Sequence, residues 1–224
     1  MIGLQHLPGR ALAVCAAGVL TLTGLVACSG DGDDAASLSS GRLNIEKLRQ
    51  AVRPISENGA LPCPLPYDVA AATAKIHLDG AVTPGEPVTT ASEGWSDDEA
   101  AARDPYSNLT PTQRANGVEV TCSYRVGAAK LDVATYASRR GHPVMMALPI
   151  IQRDADAAVQ DLSAFADRMA TIGPHQVVPV GNGHVAAVRL NVNGPGVAML
   201  QVSSETLTPA QISDLAGEFA RQLD

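Results

Sequence analysis

Apolar residues recur along the chain with two different periods. At Ile45, Leu48, Val52 and Ile55 they step by three and four, which predicts a helix whose regular part Pro54 ends. Leu61-Pro-Cys-Pro-Leu-Pro66 reads as stiff and extended, since each proline biases its predecessor away from helix. Tyr67 to His77 predicts a second, Ala-rich helix with Val69, Ala72 and Ile76 on one side. Residues 79–116 show no sustained pattern and read as a long polar loop. Within it, 97–103 and Thr110-Pro111-Thr112-Gln113 are candidate helical turns, the latter with a threonine cap, proline at N1 and glutamine at N3.

The period then falls to two. Val118, Val120, Cys122, Tyr124 and Val126 alternate with Glu119, Thr121, Ser123 and Arg125, the pattern of a half-buried strand with Cys122 inward. Gly127 to Lys130 reads as a turn, and Leu131, Val133 and Thr135 continue as the second arm of a hairpin. Over 151–170 the helical period returns. Ile151, Ala155, Ala158, Val159, Leu162, Phe165 and Met169 share one face. Val144 to Ile150 fits either a short buried strand or the lead-in to that helix, with a break expected near Pro149. Segments 177–180, 184–192 and 197–203, separated by Gly181-Asn-Gly183 and Asn193-Gly-Pro-Gly196, read as three antiparallel strands. A capping box at Thr208 and Gln211, with Pro209 at N1, opens a final helix carrying Ile212, Leu215, Phe219 and Leu223. The expected class is α+β: an antiparallel sheet of about five strands with two long amphipathic helices on one face.

The N-terminus changes the picture. Arg10 precedes an apolar stretch from Ala11 to Ala27, and Leu25-Val26-Ala27-Cys28 looks like a bacterial lipobox. The expected organisation is a signal peptide over 1–27, lipid on Cys28, a flexible acidic tether over 28–42, and one extracytoplasmic domain over 43–224. Two acyl chains on one sulfur suffice for stable anchoring at the cell membrane. Cleavage removes Arg10 and no acid, so a chain of net charge −7 becomes one unit more negative. That acidity argues against nucleic acid, and seven aromatics (one Trp, four Tyr, two Phe) leave little for stacking platforms.

Of the four cysteines, Cys15 lies in the signal and Cys28 carries lipid. Cys63 and Cys122 remain in an oxidising setting, where a disulfide between them is the natural reading; free thiols or an intermolecular bridge are the alternatives. The Pro-flanked Cys63, the Ala-rich helix after it, the strand motif Thr121-Cys122-Ser123-Tyr124, the capped final helix and the lipobox together resemble a family of actinobacterial lipoproteins of unknown function. The chain is similar, more loosely, to extracellular sensor domains of mycobacterial membrane kinases. The resemblance spans about 60–223. It implies an α+β domain stapled by Cys63 and Cys122 and carries across no catalytic residue.

Candidate chemistry is sparse. His77, His142, His175 and His184 have no i, i+4 partner and no HExxH context, so a scattered metal site is outweighed by loop or solvent-facing roles, and neither metal nor cofactor is expected. There is no GxSxG or SxxK, so a hydrolase needs a Ser-His-Asp arrangement that spacing does not reveal. Asp97, Asp98 and Glu99 lack EF-hand spacing. Trp95 is the candidate docking anchor for a partner, weighed against a role in pinning its own loop. Met145, Met146, Leu148 and Ile150 read as core packing before an apolar pocket. The leading expectation is a non-enzymatic, membrane-anchored surface lipoprotein that binds a protein, lipid or small ligand. An envelope hydrolase and an accessory subunit of a membrane complex are its rivals.

Overall fold

The computed structural model describes residues 42–58, 62–92, 110–139 and 143–224. All of them fall within one unit of the chain. The expected signal peptide, Cys28, the tether to residue 41, the helical turn at 97–103, Trp95 and His142 lie outside the described residues.

Seven strands form among the described residues, not the roughly five expected. They are β1 (Val82–Pro84), β2 (Val88–Ala91), β3 (Gly117–Val126), β4 (Ala129–Ser138), β5 (Val177–Val180), β6 (Val185–Leu190) and β7 (Val197–Ser203). The two additional strands, β1 and β2, lie inside the segment read as patternless loop. At three and four residues each they are too short for alternation to show, and both pair antiparallel with β3, along successive stretches of one edge. β3 and β4 form the expected hairpin, and β5, β6 and β7 form a meander. The two halves join antiparallel through β4 and β7, giving the order β1/β2-β3-β4-β7-β6-β5. Pro179, exposed on the edge strand β5, blunts that edge against pairing with another chain.

Six helices accompany the sheet among the described residues: α1 (Ile45–Asn58), α2 (Val69–Lys75), α3 (Pro111–Arg114), α4 (Val144–Ala155), α5 (Val159–Thr171) and α6 (Pro209–Gln222). The capping boxes at Thr110/Gln113 and Thr208/Gln211 form as expected. The long amphipathic stretch of 144–170 is two helices. Asp156 takes a left-handed conformation (φ 46°) and closes α4, and α5 starts three residues later. Pro149 does not break α4. It lies on the exposed side, where the carbonyl it leaves without a donor meets water. Pro54 likewise sits inside α1 and does not end it.

The expectation of both long helices on one face is overturned. α6 packs with α1 and α2 on one side of the sheet, whereas α4 and α5 cover the other. A periodic stripe shows that a helix buries a face but does not say which side of a sheet receives it. The first core joins Leu48 and Val52 of α1, Val69 and Ala72 of α2, and Ile212, Leu215 and Phe219 of α6 to the inward residues of β3, β4, β6 and β7. The second joins Met146 and Ile151 of α4 and Phe165 and Met169 of α5 to Tyr136, Met199, Val178 and Val185. Where the described chain begins, Leu43 forms a parallel bridge to Val192, just past the C-terminal end of β6. Gly196 (φ 124°) allows α1 to approach there: a Cβ would clash with the Ile45 side chain of α1 and lie 2.7 Å from the Ser138 carbonyl oxygen of β4.

Candidate functional site

Cys63 and Cys122 are bonded, with Cα atoms 5.6 Å apart. Strand alternation turns Cys122 into the first core, and the extended Pro-rich segment brings Cys63 to it. This bond fastens the chain between α1 and α2 to the sheet. Nearby, Glu218 of α6 pairs with Lys75 of α2 and with Arg221, whose hydrogen bonds hold its carboxyl below the usual range. Both features are structural.

The opposite face is different. α4 packs on β4 and β6 and α5 on β5, and the single turn of α3 packs on β3. There Glu119, Thr121 and Ser123 are half-buried and Arg125 is exposed. Burial raises the Glu119 carboxyl above its usual range, against the lowering effect of a hydrogen bond from the Thr112 hydroxyl (3.2 Å). Its cross-strand neighbour Tyr136 is fully buried, and the Tyr136 hydroxyl has no hydrogen-bond partner among the described residues. The Gln201 Oε1, equally buried on β7, has none either. Two orphan polar atoms on this face are costly, at about 1–3 kcal/mol each.

At the end of this face lies a polar cleft of about 420 Å³ lined by Lys130 and Asp132 of β4, Arg153 and Asp154 of α4, His184, and Ser203 to Thr206. The antiparallel register sets Asp132 opposite Ser203, and Ser203 in turn opposite Val185, the residue after His184. Asp132 accepts a hydrogen bond from the Ser123 hydroxyl (2.6 Å) and pairs with Lys130 Nζ (2.8 Å). Asp154 accepts from Arg153 Nε (2.7 Å) and from the Ser203 hydroxyl (3.4 Å). Lys130 is held above the usual lysine range, first by its hydrogen bond to Asp132, then by the charges of Asp132, Asp154 and Glu205. His184 Nδ1 lies 3.1 Å from the Ser204 carbonyl and donates to it, an arrangement that in the neutral ring leaves Nε2 as the acceptor.

This wiring differs from that of a Ser-His-acid triad, in which the imidazole stands between the hydroxyl and the carboxylate. Here the Ser203 hydroxyl reaches the carboxylate directly, and the imidazole proton goes to a backbone carbonyl. His175 and His184 stay apart. His175 donates its backbone N–H to the Arg189 carbonyl near the C-terminal end of β6 and pairs with Asp224 (2.6 Å), whereas His184 precedes the N-terminal end of that strand. Among the described residues, no three His, Cys, Asp or Glu side chains are grouped to hold a metal ion. Of the methionines, Met146 is core and Met145 is 55% exposed; the apolar hollow by Val144, Met169 and Met199 is about 40 Å³. No described helix is long and apolar enough to cross a membrane.

Sequence reasoning passed over Lys130, Asp132, Arg153, Asp154, Ser203 and Glu205. The available signal was positional: Asp132 and Ser203 are polar residues within strands, and Ser203-Ser-Glu-Thr206 is a polar run directly after an apolar strand. No protein-family profile, curated protein or solved structure matches the chain.

Proposed function

We propose that this chain is a lipid-anchored, extracytoplasmic binding protein that takes a small polar ligand in the cleft between β4, β7 and the end of α4. The reading of the N-terminus as lipobox and signal supports the address. The observation that carries the reading is the cleft: about 420 Å³, within the roughly 300–1,000 Å³ of small-molecule sites, with its carboxylates Asp132 and Asp154 held by serine hydroxyls. The 40 Å³ apolar hollow is far too small for an acyl chain, which weighs against lipid carriage there. Hydrolysis is disfavoured by the direct Ser203–Asp154 contact.

The test is equilibrium dialysis of the detergent-solubilised protein against a small-molecule extract of the cell envelope, read by mass spectrometry. The wild type is expected to retain a polar compound that the Asp132→Asn/Asp154→Asn variant loses. Equal retention by both proteins overturns the site. In parallel, Cys28→Ser is expected to abolish labelling by a radioactive fatty acid; undiminished labelling overturns the anchor.

A further inference from the structure

Building on that reading, we propose that the cleft binds a small zwitterion, a molecule carrying a free ammonium and a free carboxylate a few bonds apart, as in a short peptide. The charges of the cleft are sorted by depth. The side chains of Asp132 and Asp154 are 24% and 20% exposed, whereas those of their partners Lys130 and Arg153 are 68% and 73% exposed. The carboxylates are therefore the fixed floor, each held by a serine hydroxyl from a neighbouring strand. The cations are the rim, on long stems that turn outward at little loss, because exposed pairs of this kind are weak.

A ligand of one sign fits this arrangement poorly. A simple cation entering the floor displaces Lys130 or Arg153 and leaves it unpaired. A simple anion drawn to the rim meets the field of Asp132, Asp154 and Glu205, all three of which act on Lys130. A zwitterion exchanges pair for pair. Its ammonium takes the place of the lysine or arginine on the floor. Its carboxylate receives the freed cation, Arg153 offering the two-pronged geometry that carboxylates prefer. His184 Nε2, left as an acceptor by the Nδ1 contact with Ser204, adds a site for an N–H of the ligand.

The experiment is calorimetric titration of the detergent-solubilised full chain with the dipeptide Ala-Ala, its N-acetyl form, its C-terminal amide, and methylamine. Ala-Ala is expected to bind, and each capped form to bind at least tenfold more weakly. Asp154→Asn should remove the penalty for the acetyl cap, and Arg153→Gln the penalty for the amide, with thermal melts of both variants matching the wild type to show that they fold. Capped forms or methylamine binding as well as Ala-Ala overturns the ligand class, as does no binding of Ala-Ala. If the dialysis experiment still shows a retained compound that depends on Asp132 and Asp154, the binding reading stands and the zwitterion is wrong; if neither experiment shows binding, both fall.

Discussion

The two faces of the sheet are built from the same strands and differ in almost everything else. On the face under α1, α2 and α6, Val118, Val120, Leu131, Val133, Leu200 and Val202 are at 0% exposure. Tyr67, half-buried against that core, has its hydroxyl satisfied by Thr135 Oγ1 (2.5 Å) and its ring edge-on to Phe219. On the face under α4 and α5, the strands place Glu119, Thr121, Ser123, Asp132, Gln201 and Ser203, and the buried tyrosine, Tyr136, bonds to nothing described. Among the described residues each side keeps orphan polar atoms, Arg49 Nε and Thr89 Oγ1 on the first and the Tyr136 hydroxyl and Gln201 Oε1 on the second, and the second also carries the row of polar strand residues that ends in the cleft. The disulfide and the fully buried strand residues belong to the first, and the polar cleft to the second.

The largest effect expected from this contrast is at the disulfide, which serves the dry face. Removing it frees a loop with 59 residues of separation, worth about 4 kcal/mol in the chain-entropy model. Urea unfolding of the Cys63→Ala/Cys122→Ala variant is expected to show that loss; an unchanged midpoint would mean that the core holds Cys63 in place without the bond.

A smaller effect separates the tyrosines. Tyr67→Phe breaks a made hydrogen bond and is expected to cost about 1 kcal/mol, whereas Tyr136→Phe removes an orphan hydroxyl and is expected to be neutral or stabilising by up to about 1 kcal/mol. Equal destabilisation in thermal melts of the two variants would erase the distinction between the faces. The smallest effect is at Glu119. Its folded-state pKa is raised, so folding favours the protonated form, and native stability falls as pH rises from the ordinary carboxyl range through the raised value. Glu119→Gln keeps an acceptor for Thr112 and is expected to flatten that decline and raise the melting temperature at neutral pH. A wild-type-like pH profile in the variant would show that Glu119 does not titrate in that window.

The sequence made the local elements legible, and it left their arrangement open. Alternation marked β3 to within one residue, and the threonine-proline-glutamine caps marked α3 and α6, because each signal is complete within a few neighbouring positions. β1 and β2 stayed hidden because what makes them strands is the edge of β3 beside them, not their own composition. The break at Asp156 stayed hidden because Ala155, Ala158 and Val159 carry an apolar stripe straight through it. The cleft draws on β4, β7 and α4, elements up to 73 residues apart, and nothing in the local spacing of Lys130 or Ser203 announces that they meet.

The bridge between Leu43 and Val192 has one more consequence. The chain comes in from its N-terminal side past the finish of β6, whereas His184 and the cleft sit at that strand's start, six residues and roughly 20 Å away. The described chain thus begins at the end of β6 remote from the cleft. Additions to the chain before residue 42 are therefore expected to leave entry to the cleft unobstructed.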